Sequence, residues 1–204
     1  MTETELSELG FDFSIKPSSM PEFSDILLEF NGKAVDPDSD NDEPVATVNG
    51  HRLDITLARQ HYKNLQELFD SISPEIADLG EHIISNNNCF VECCSKDEPE
   101  ETPCSSLVYI DELVVKPEYR GRGIGTEMLR RMSQVVDMNR ALVALKAVPI
   151  LDDESDERTD ELKAQLKHFY SKIGFRHGGA HYMVKDARDC YTQRQRAMAE
   201  DGAN

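Results

Sequence analysis

The sequence feature that most constrains the fold is a strand, a glycine loop and a helix in direct succession. An apolar run from Leu107 to Val115 predicts a buried strand, and Pro117 marks the turn after it. Glycines then occupy three alternate positions: Gly121, Gly123 and Gly125. Apolar residues at helical spacing follow: Met128, Leu129, Met132, Val135 and Val136. Glycine lets the backbone approach an anion, and the first N–H groups of a helix are unpaired, so the stretch predicts a phosphate-binding cradle.

The glycine spacing excludes two common phosphate-binding motifs. A dinucleotide fingerprint needs Gly-x-Gly-x-x-Gly, and a P-loop needs Gly-x4-Gly-Lys-Ser/Thr. Neither spacing occurs, and no Lys-Ser or Lys-Thr pair follows the glycines. The segment Arg120-Gly-Arg-Gly-Ile-Gly125 is instead similar to the Arg/Gln-x-x-Gly-x-Gly/Ala motif of the GCN5-related N-acetyltransferases, the GNAT family. The preceding Leu-Val-Val-Lys-Pro-Glu-Tyr run resembles the family pattern as well.

This resemblance covers roughly residues 57–185 and implies a fold, a co-substrate and a set of binding residues. The fold would be α+β, with a mixed central sheet flanked by helices and two central strands splayed to hold acetyl-CoA. Backbone N–H groups at three strand residues would bind the thioester carbonyl: Leu113, Val114 and Val115. The loop and helix start would bind the pyrophosphate: Arg120, Gly121, Arg122, Gly123, Ile124, Gly125 and Thr126.

Tyr170 is the candidate general acid. Acetyl transfer from a thioester to an amine requires a neutral amine, a stabilised carbonyl oxygen and a protonated leaving thiolate. The segment Phe169-Tyr-Ser-Lys-Ile-Gly-Phe175 resembles the second motif of the family, in which a tyrosine protonates the coenzyme A sulfur. Tyrosine is a weaker acid than a thiol by about 1.5 pKa units, a cost of about 2 kcal/mol. Tyr170 also lies on the apolar stripe of its predicted helix, and spacing alone favours a core aromatic.

Asp111 and Glu112 are candidates for the general base or for recognition of the amine. Their segment, Tyr-Ile-Asp-Glu-Leu-Val-Val, resembles the acidic strand of spermidine/spermine and aminoglycoside acetyltransferases. On a regular strand the two side chains point to opposite faces, so at most one faces the substrate unless a bulge intervenes. Deprotonating an ammonium at pH 7 costs roughly 4–5 kcal/mol, and a carboxylate in contact raises that cost. We therefore expect an acid that recognises the cation or acts as a base through water; the alternative is a carboxylate at a hairpin edge.

Charge and composition limit the partners. The formal net charge of -17 argues against non-specific binding of nucleic acid or an anionic membrane, and it suits a cationic amine acceptor. No apolar run approaches the roughly 18 residues of a membrane span, and the acidic N-terminus lacks a signal pattern, so we expect a cytoplasmic protein. The five cysteines, an odd number without framework spacing, predict reduced thiols and no metal site. A homodimer is compatible with the sequence.

The length of 204 residues predicts one domain with extensions. We expect an acidic N-terminal extension over residues 1–24, a single acetyltransferase domain over residues 25–190 and a polar tail over residues 191–204. Asn31-Gly32 and Asn49-Gly50 predict turns, and the second predicts a type I′ hairpin. Apolar residues at helical spacing over residues 57–69 predict a helix, and Ser73-Pro74-Glu75 predicts the start of a second one. Gly174 predicts the end of the helix that contains Tyr170, and residues 89–94 predict a strand.

Three functions fit these residues. The leading hypothesis is an acetyl-CoA-dependent N-acetyltransferase acting on a small cationic amine: a polyamine, an aminoglycoside-like compound or an amino-acid derivative. A protein lysine or N-terminal acetyltransferase would share this chemistry and differ in its acceptor groove. A non-catalytic acyl-CoA-binding regulatory module is the third, and Tyr170 together with the intact glycine loop speaks against it.

Overall fold

The computed structural model describes Leu6 and residues 8–37, 43–84, 104–149 and 159–187. In this part of the chain, seven strands form one mixed sheet in the order β1-β2-β3-β4-β5-β7-β6. The strands are β1 Gly10–Pro17, β2 Leu27–Val35, β3 Ala46–Asp54, β4 Ser106–Val115, β5 Ala141–Lys146, β6 Arg176–His177 and β7 Tyr182–Asp186. The helices are α1 Ile55–His61, α2 Leu65–Ile72, α3 Pro74–Ile83, α4 Ile124–Val135 and α5 Thr159–Lys172. The predicted α+β class and mixed sheet are confirmed.

The chain divides into two compact units. The first contains Met1–Asp54 and Val108–Met138, and the second contains Ile55–Leu107 and Asn139–Asn204. In the first unit β2 pairs antiparallel with both β1 and β3, and α4 packs against these three strands. The helix uses one apolar face, because Ile124, Met128 and Met132 recur every four residues and all are buried.

Both Asn-Gly pairs lie inside strands, so the predicted turns at residues 31–32 and 49–50 are wrong. Asn31 is directly opposite Asn49 in the β2–β3 ladder, and Gly32 is opposite Val48. A type I′ hairpin at Asn49-Gly50 would have ended the strand at the point where β3 in fact continues to Asp54.

Close packing explains the two strand glycines. A Cβ atom on Gly32 would lie 2.3 Å from the Phe13 ring. A Cβ atom on Gly50 would lie 2.2 Å from the Tyr109 carbonyl oxygen and 2.5 Å from the Phe30 ring. Glycine therefore marks a close approach to neighbouring groups here. The same dipeptide is a strong turn signal when it is read locally, and the local sequence does not separate the two uses.

Strand β1 was not predicted from the sequence. It lies within residues 1–24, and all eight of its residues pair with β2, from Gly10 opposite Val35 to Pro17 opposite Leu28. It contacts α4 as well, since the Arg131 guanidinium lies 4.2 Å from the centroid of the Phe11 ring.

The second unit contains α1, α2, α3 and α5, and β7 pairs antiparallel with both β5 and β6. The helical pattern over residues 57–69 is divided between two helices, because Asn64 caps α2 by accepting a hydrogen bond from the Gln66 N–H at 2.9 Å. The predicted start of α3 is confirmed: the Ser73 hydroxyl accepts from the Ile76 N–H at 3.1 Å. Gly174 follows the end of α5 with φ of 91°, as predicted for a helix C-terminus.

Cys104 is disulfide-bonded, so the expectation of reduced thiols is wrong for this residue. The other four cysteines, the strand expected at residues 89–94 and the tail at residues 191–204 lie outside the described residues. None of the helices in the described ranges has the length and apolarity that a membrane crossing requires.

Gly50→Ala is expected to destabilise the first unit. Its new methyl group would meet the Tyr109 carbonyl oxygen, which is backbone and cannot rotate away. Overpacking of this kind costs about 1–3 kcal/mol, measured as a lower midpoint of urea unfolding. Gly10→Ala is the matched control, because its Cβ would lie 3.8 Å from the nearest atom, the Val35 carbonyl oxygen. Equal midpoints for the two variants would show that the close approach at Gly50 does not constrain the fold.

Candidate functional site

The glycine loop forms an open cradle at the start of α4. Gly121 and Gly123 have φ of 72° and 83°, a left-handed conformation that favours glycine. A Cβ on Gly121 would have no atom within 4 Å, so the space beside the loop is open among the described residues. Gly123 is the N-cap, and no described side chain caps the helix. The N–H groups of residues 124–126 therefore lack intrahelical partners, an arrangement that suits an anion.

The two arginines of the loop are held by contacts within the first unit. The Arg120 Nε donates to the Val115 carbonyl oxygen at 2.9 Å. The Arg122 guanidinium lies 5.3 Å from the centroid of the Tyr119 ring. The Tyr119 hydroxyl donates to Asp36 at 3.1 Å, and this hydrogen bond raises the pKa of Tyr119. The cradle thus combines backbone donors with two positioned positive charges.

A row of alternating charges runs across β1, β2, β3 and β4. Lys16 is opposite Glu29, and Glu29 is opposite His51 in the strand registers. Lys16 Nζ lies 3.1 Å from Glu29 Oε2, and His51 Nδ1 lies 2.8 Å from Asp111 Oδ2. Hydrogen bonds from the Ser19 N–H and hydroxyl, with the Lys16 charge, lower the pKa of Glu29 to about 2. Glu29 is therefore ionised at neutral pH.

His51 and Asp111 form the inner pair of this row. Both side chains are partly buried, with 28% and 33% of their surface exposed. The two atoms are close, but the direction of the Nδ1–H does not satisfy hydrogen-bond geometry, so the contact is mainly electrostatic. Asp111 raises the pKa of His51, burial opposes this effect, and Glu29 adds a smaller increase.

Glu112, like Asp111, contacts a side chain of β3. It accepts a hydrogen bond from Asn49 Nδ2 at 3.2 Å. Asn49 and His51 are two residues apart on β3, so their side chains project from one face of the sheet. Two adjacent residues of a regular β4 would not both reach that face. The contacts therefore indicate a local break in alternation, as in a β-bulge, and they bring both candidate carboxylates to the same side.

The sequence analysis named the carboxylates but missed Asn49 and His51. Asn49 was assigned to a turn, which removed its strand from consideration. The alternation of Thr47, Asn49 and His51 with the buried Ala46, Val48 and Gly50 is the signal that could have found this polar face.

Tyr170 is buried in the second unit, whereas the carboxylates and the glycine loop belong to the first. It is 6% exposed and lies between two aromatic rings, with centroids 4.9 Å away at Phe169 and 5.7 Å away at Phe175. Burial raises the pKa of Tyr170 to about 12. Its hydroxyl makes no hydrogen bond to any described residue. Tyr170 is therefore neutral at physiological pH.

Residues 78–177 match a family model described as an acetyltransferase (GNAT) domain. The chain contains a GNAT acetyltransferase domain. The matched residues include β4, the glycine loop and Tyr170. This GNAT protein is therefore an acyltransferase whose co-substrate is acetyl-CoA, as the sequence resemblance implied.

Several solved structures resemble the chain over most of its length. One is an acetyltransferase of the GNAT family from Staphylococcus aureus Mu50, with 11% identity, 78% of this chain and 68% of that chain covered, and a TM-score of 0.38. A second is Arabidopsis thaliana NAA60 in complex with a bisubstrate analogue, with 17% identity, coverage of 87% and 98%, and a TM-score of 0.38. A third is the NatC complex bound to Gag peptide and CoA, with 14% identity, coverage of 76% and 70%, and a TM-score of 0.39. The family assignment rests on the domain match. No curated protein matches the sequence.

The titration of His51 tests the geometry of the inner pair. We expect its ring to titrate above 6.5 in the parent and at a lower pH in Asp111→Asn, because the neutral amide no longer stabilises the imidazolium. NMR of the His51 ring protons measures both values. Since the folded-state pKa is raised, the associated stability is fully present below the unfolded value of about 6.5 and is lost as pH rises through the folded value.

Asp12→Asn is the control for this titration. Asp12 lies on β1 and contacts Lys33, and its carboxylate is 75% exposed. An unchanged His51 pKa in Asp111→Asn, or an equal shift in both variants, would contradict the pairing.

Proposed function

We propose that this acetyltransferase transfers an acetyl group from acetyl-CoA to a primary amine of a small cationic acceptor, such as a polyamine, an aminoglycoside-like compound or an amino-acid derivative. The supporting observation is that Asp111 and Glu112 approach one face of the sheet together. When His51 is neutral, this face carries three carboxylates: Glu29, Asp111 and Glu112. Among the residues of the charge row, Lys16 is then the one cation. Such a face attracts an ammonium group.

The roles proposed for the cradle and for β4 are those that the family resemblance implies, and the open glycine loop supports them. Arg120, Gly121, Arg122, Gly123, Ile124, Gly125 and Thr126 hold the pyrophosphate of acetyl-CoA through backbone N–H groups and guanidinium charge. Backbone N–H groups at Leu113, Val114 and Val115 stabilise the oxygen of the thioester carbonyl as charge develops there. Leu113 is two residues from Asp111 on β4, about 7 Å along a strand. One strand thus presents groups for both reactants.

Tyr170 is proposed as the acid that protonates the leaving sulfur. With a pKa of about 12, its proton transfer to a thiolate of ordinary basicity is uphill by about 3.5 units, roughly 5 kcal/mol. Desolvation raises the pKa of the thiol as well, so the difference narrows when the sulfur lies in the same buried environment. The absence of a hydrogen-bond partner among the described residues leaves the hydroxyl available for this transfer.

Tyr170→Phe is expected to lower kcat by about 10²-fold or more, the usual contribution of a positioned acid, with an unchanged Kd for acetyl-CoA. Steady-state kinetics and calorimetric titration measure the two quantities. Tyr62→Phe is the matched control, a tyrosine of the same unit that lies between α1 and α2. A Tyr170→Phe enzyme as fast as the parent would assign Tyr170 to the core alone.

Glu112→Gln is expected to raise the KM for a cationic amine by about 10-fold, because a charge-assisted contact contributes about 1.5 kcal/mol or more, while the KM for acetyl-CoA stays constant. Glu118→Gln removes the same charge from an exposed position in the same unit and serves as control. Equal KM changes in both variants would assign the effect to net charge and would remove Glu112 from the acceptor site.

An acceptor panel separates the competing functions. It contains a polyamine, an aminoglycoside, an amino-acid amide, a lysine peptide and a peptide with a free N-terminus. Turnover confined to the peptides would overturn the small-molecule proposal. Acetyl-CoA binding without turnover of any amine would support a non-catalytic binding module.

A further inference from the structure

We propose that His51 accepts a proton from the acceptor amine and that Asp111 positions its imidazole for this step. The inference rests on the proposed amine acetylation and adds a catalytic residue from β3, a strand outside residues 78–177. It resolves a difficulty in using Asp111 alone, because a carboxylate in contact with an ammonium makes that ammonium harder to deprotonate.

The geometry of the pair leaves one ring nitrogen free to act. His51 Nδ1 lies 2.8 Å from Asp111 Oδ2, outside hydrogen-bond geometry. The negative charge beside Nδ1 disfavours a lone pair there, so the hydrogen of the neutral ring lies on Nδ1. The Nε2 atom then carries the lone pair, and it has no polar partner among the described residues. A histidine with a carboxylate beside one ring nitrogen and the other nitrogen available resembles the arrangement that proton-accepting histidines use.

The neighbouring strands determine which charges act on the ring. Asp111 faces it from β4, and Glu29 faces it from β2. Lys16 on β1 lies behind Glu29 and is paired with it at 3.1 Å. Both carboxylates raise the pKa of the imidazole, partial burial lowers it, and the sum is an increase from 6.5. Imidazole is the side-chain base whose ordinary pKa lies closest to neutral pH, so it suits proton transfer under physiological conditions.

The reaction balances with His51 in this role. The amine nitrogen forms a bond to the acetyl carbon, and the bond between that carbon and the sulfur breaks. The ammonium loses two protons, and one of them passes through His51 Nε2 to solvent. Tyr170 or solvent protonates the thiolate, and the second proton of the ammonium restores the proton that this donor has lost. The products are the N-acetylated amine, coenzyme A thiol and one released proton.

The test is the pH dependence of kcat/KM for the full chain with an amine that the parent acetylates. The parent rate should rise with pH through a transition above 6.5, because the imidazolium cannot accept a proton. In His51→Gln we expect this transition to disappear and kcat to fall by about 10²-fold or more. In Asp111→Asn the transition should move to lower pH with a smaller loss of kcat. The transition of the amine itself, near pH 10, should remain in every variant.

His61→Gln is the matched control, an exposed histidine at the end of α1. Added imidazole should restore part of the activity of His51→Ala, which a merely structural role would not produce. Urea midpoints and acetyl-CoA affinities close to those of the parent should accompany both His51 variants.

The outcomes separate this proposal from the function on which it rests. If the parent acetylates an amine and His51→Gln keeps the parent pH profile, the role of His51 is overturned and the proposed function stands. If imidazole fails to rescue His51→Ala and Asp111→Asn leaves the transition in place, the role is likewise overturned. A parent that acetylates no amine in the panel overturns the proposed function, and the role of His51 with it.

Discussion

The close approach of β3 to its surroundings at Gly50 is the constraint on which the first unit depends. With no Cβ at this position, the Tyr109 carbonyl and the Phe30 ring occupy space that any side chain would take. Gly50 lies between Asn49 and His51, which project from the opposite face and contact Glu112 and Asp111. The packing requirement on one face of the sheet therefore fixes the polar contacts on the other. A carbonyl oxygen so close to the neighbouring strand also fits the break in alternation at the two carboxylates.

The elements that the sequence predicted well are those whose signals are local. Strand β4, the glycine loop and α4 follow one another within thirty residues, and each has its own pattern of apolar spacing, glycine or helix start. The Ser73-Pro74 start of α3 is equally local. The turns predicted at the Asn-Gly pairs were wrong because the deciding information is not local. Whether such a pair turns the chain or admits a neighbouring group depends on residues such as Tyr109, 59 positions away from Gly50, and no window of sequence contains both.

The same difference between local and long-range signals applies to the residues of the candidate site. A motif identified the loop, Asp111, Glu112 and Tyr170, because their residue types stand at characteristic spacing. His51 carries no such pattern, and its significance comes from a carboxylate that only the paired strands bring within 2.8 Å. Tyr170 shows how one environment supports two interpretations: the burial that suits a core aromatic also keeps its hydroxyl protonated, which is the state a proton donor needs. The two interpretations differ only when the leaving sulfur must be protonated, so the reaction itself is needed to separate them.

Helix α4 contributes both to the glycine-loop cradle and to a contact with β1. Its first turn forms the cradle, and two turns later Arg131 lies over the Phe11 ring of β1. Glu127 holds that arginine with an Nε–Oε1 distance of 2.7 Å. Strand β1 is the edge of the sheet and lies outside the residues that match the family. Thermodynamic linkage follows from this shared helix, because a ligand that binds only the folded cradle also stabilises the strand that the helix holds. The protection of the β1 backbone from hydrogen exchange with solvent is therefore expected to rise with the concentration of the co-substrate.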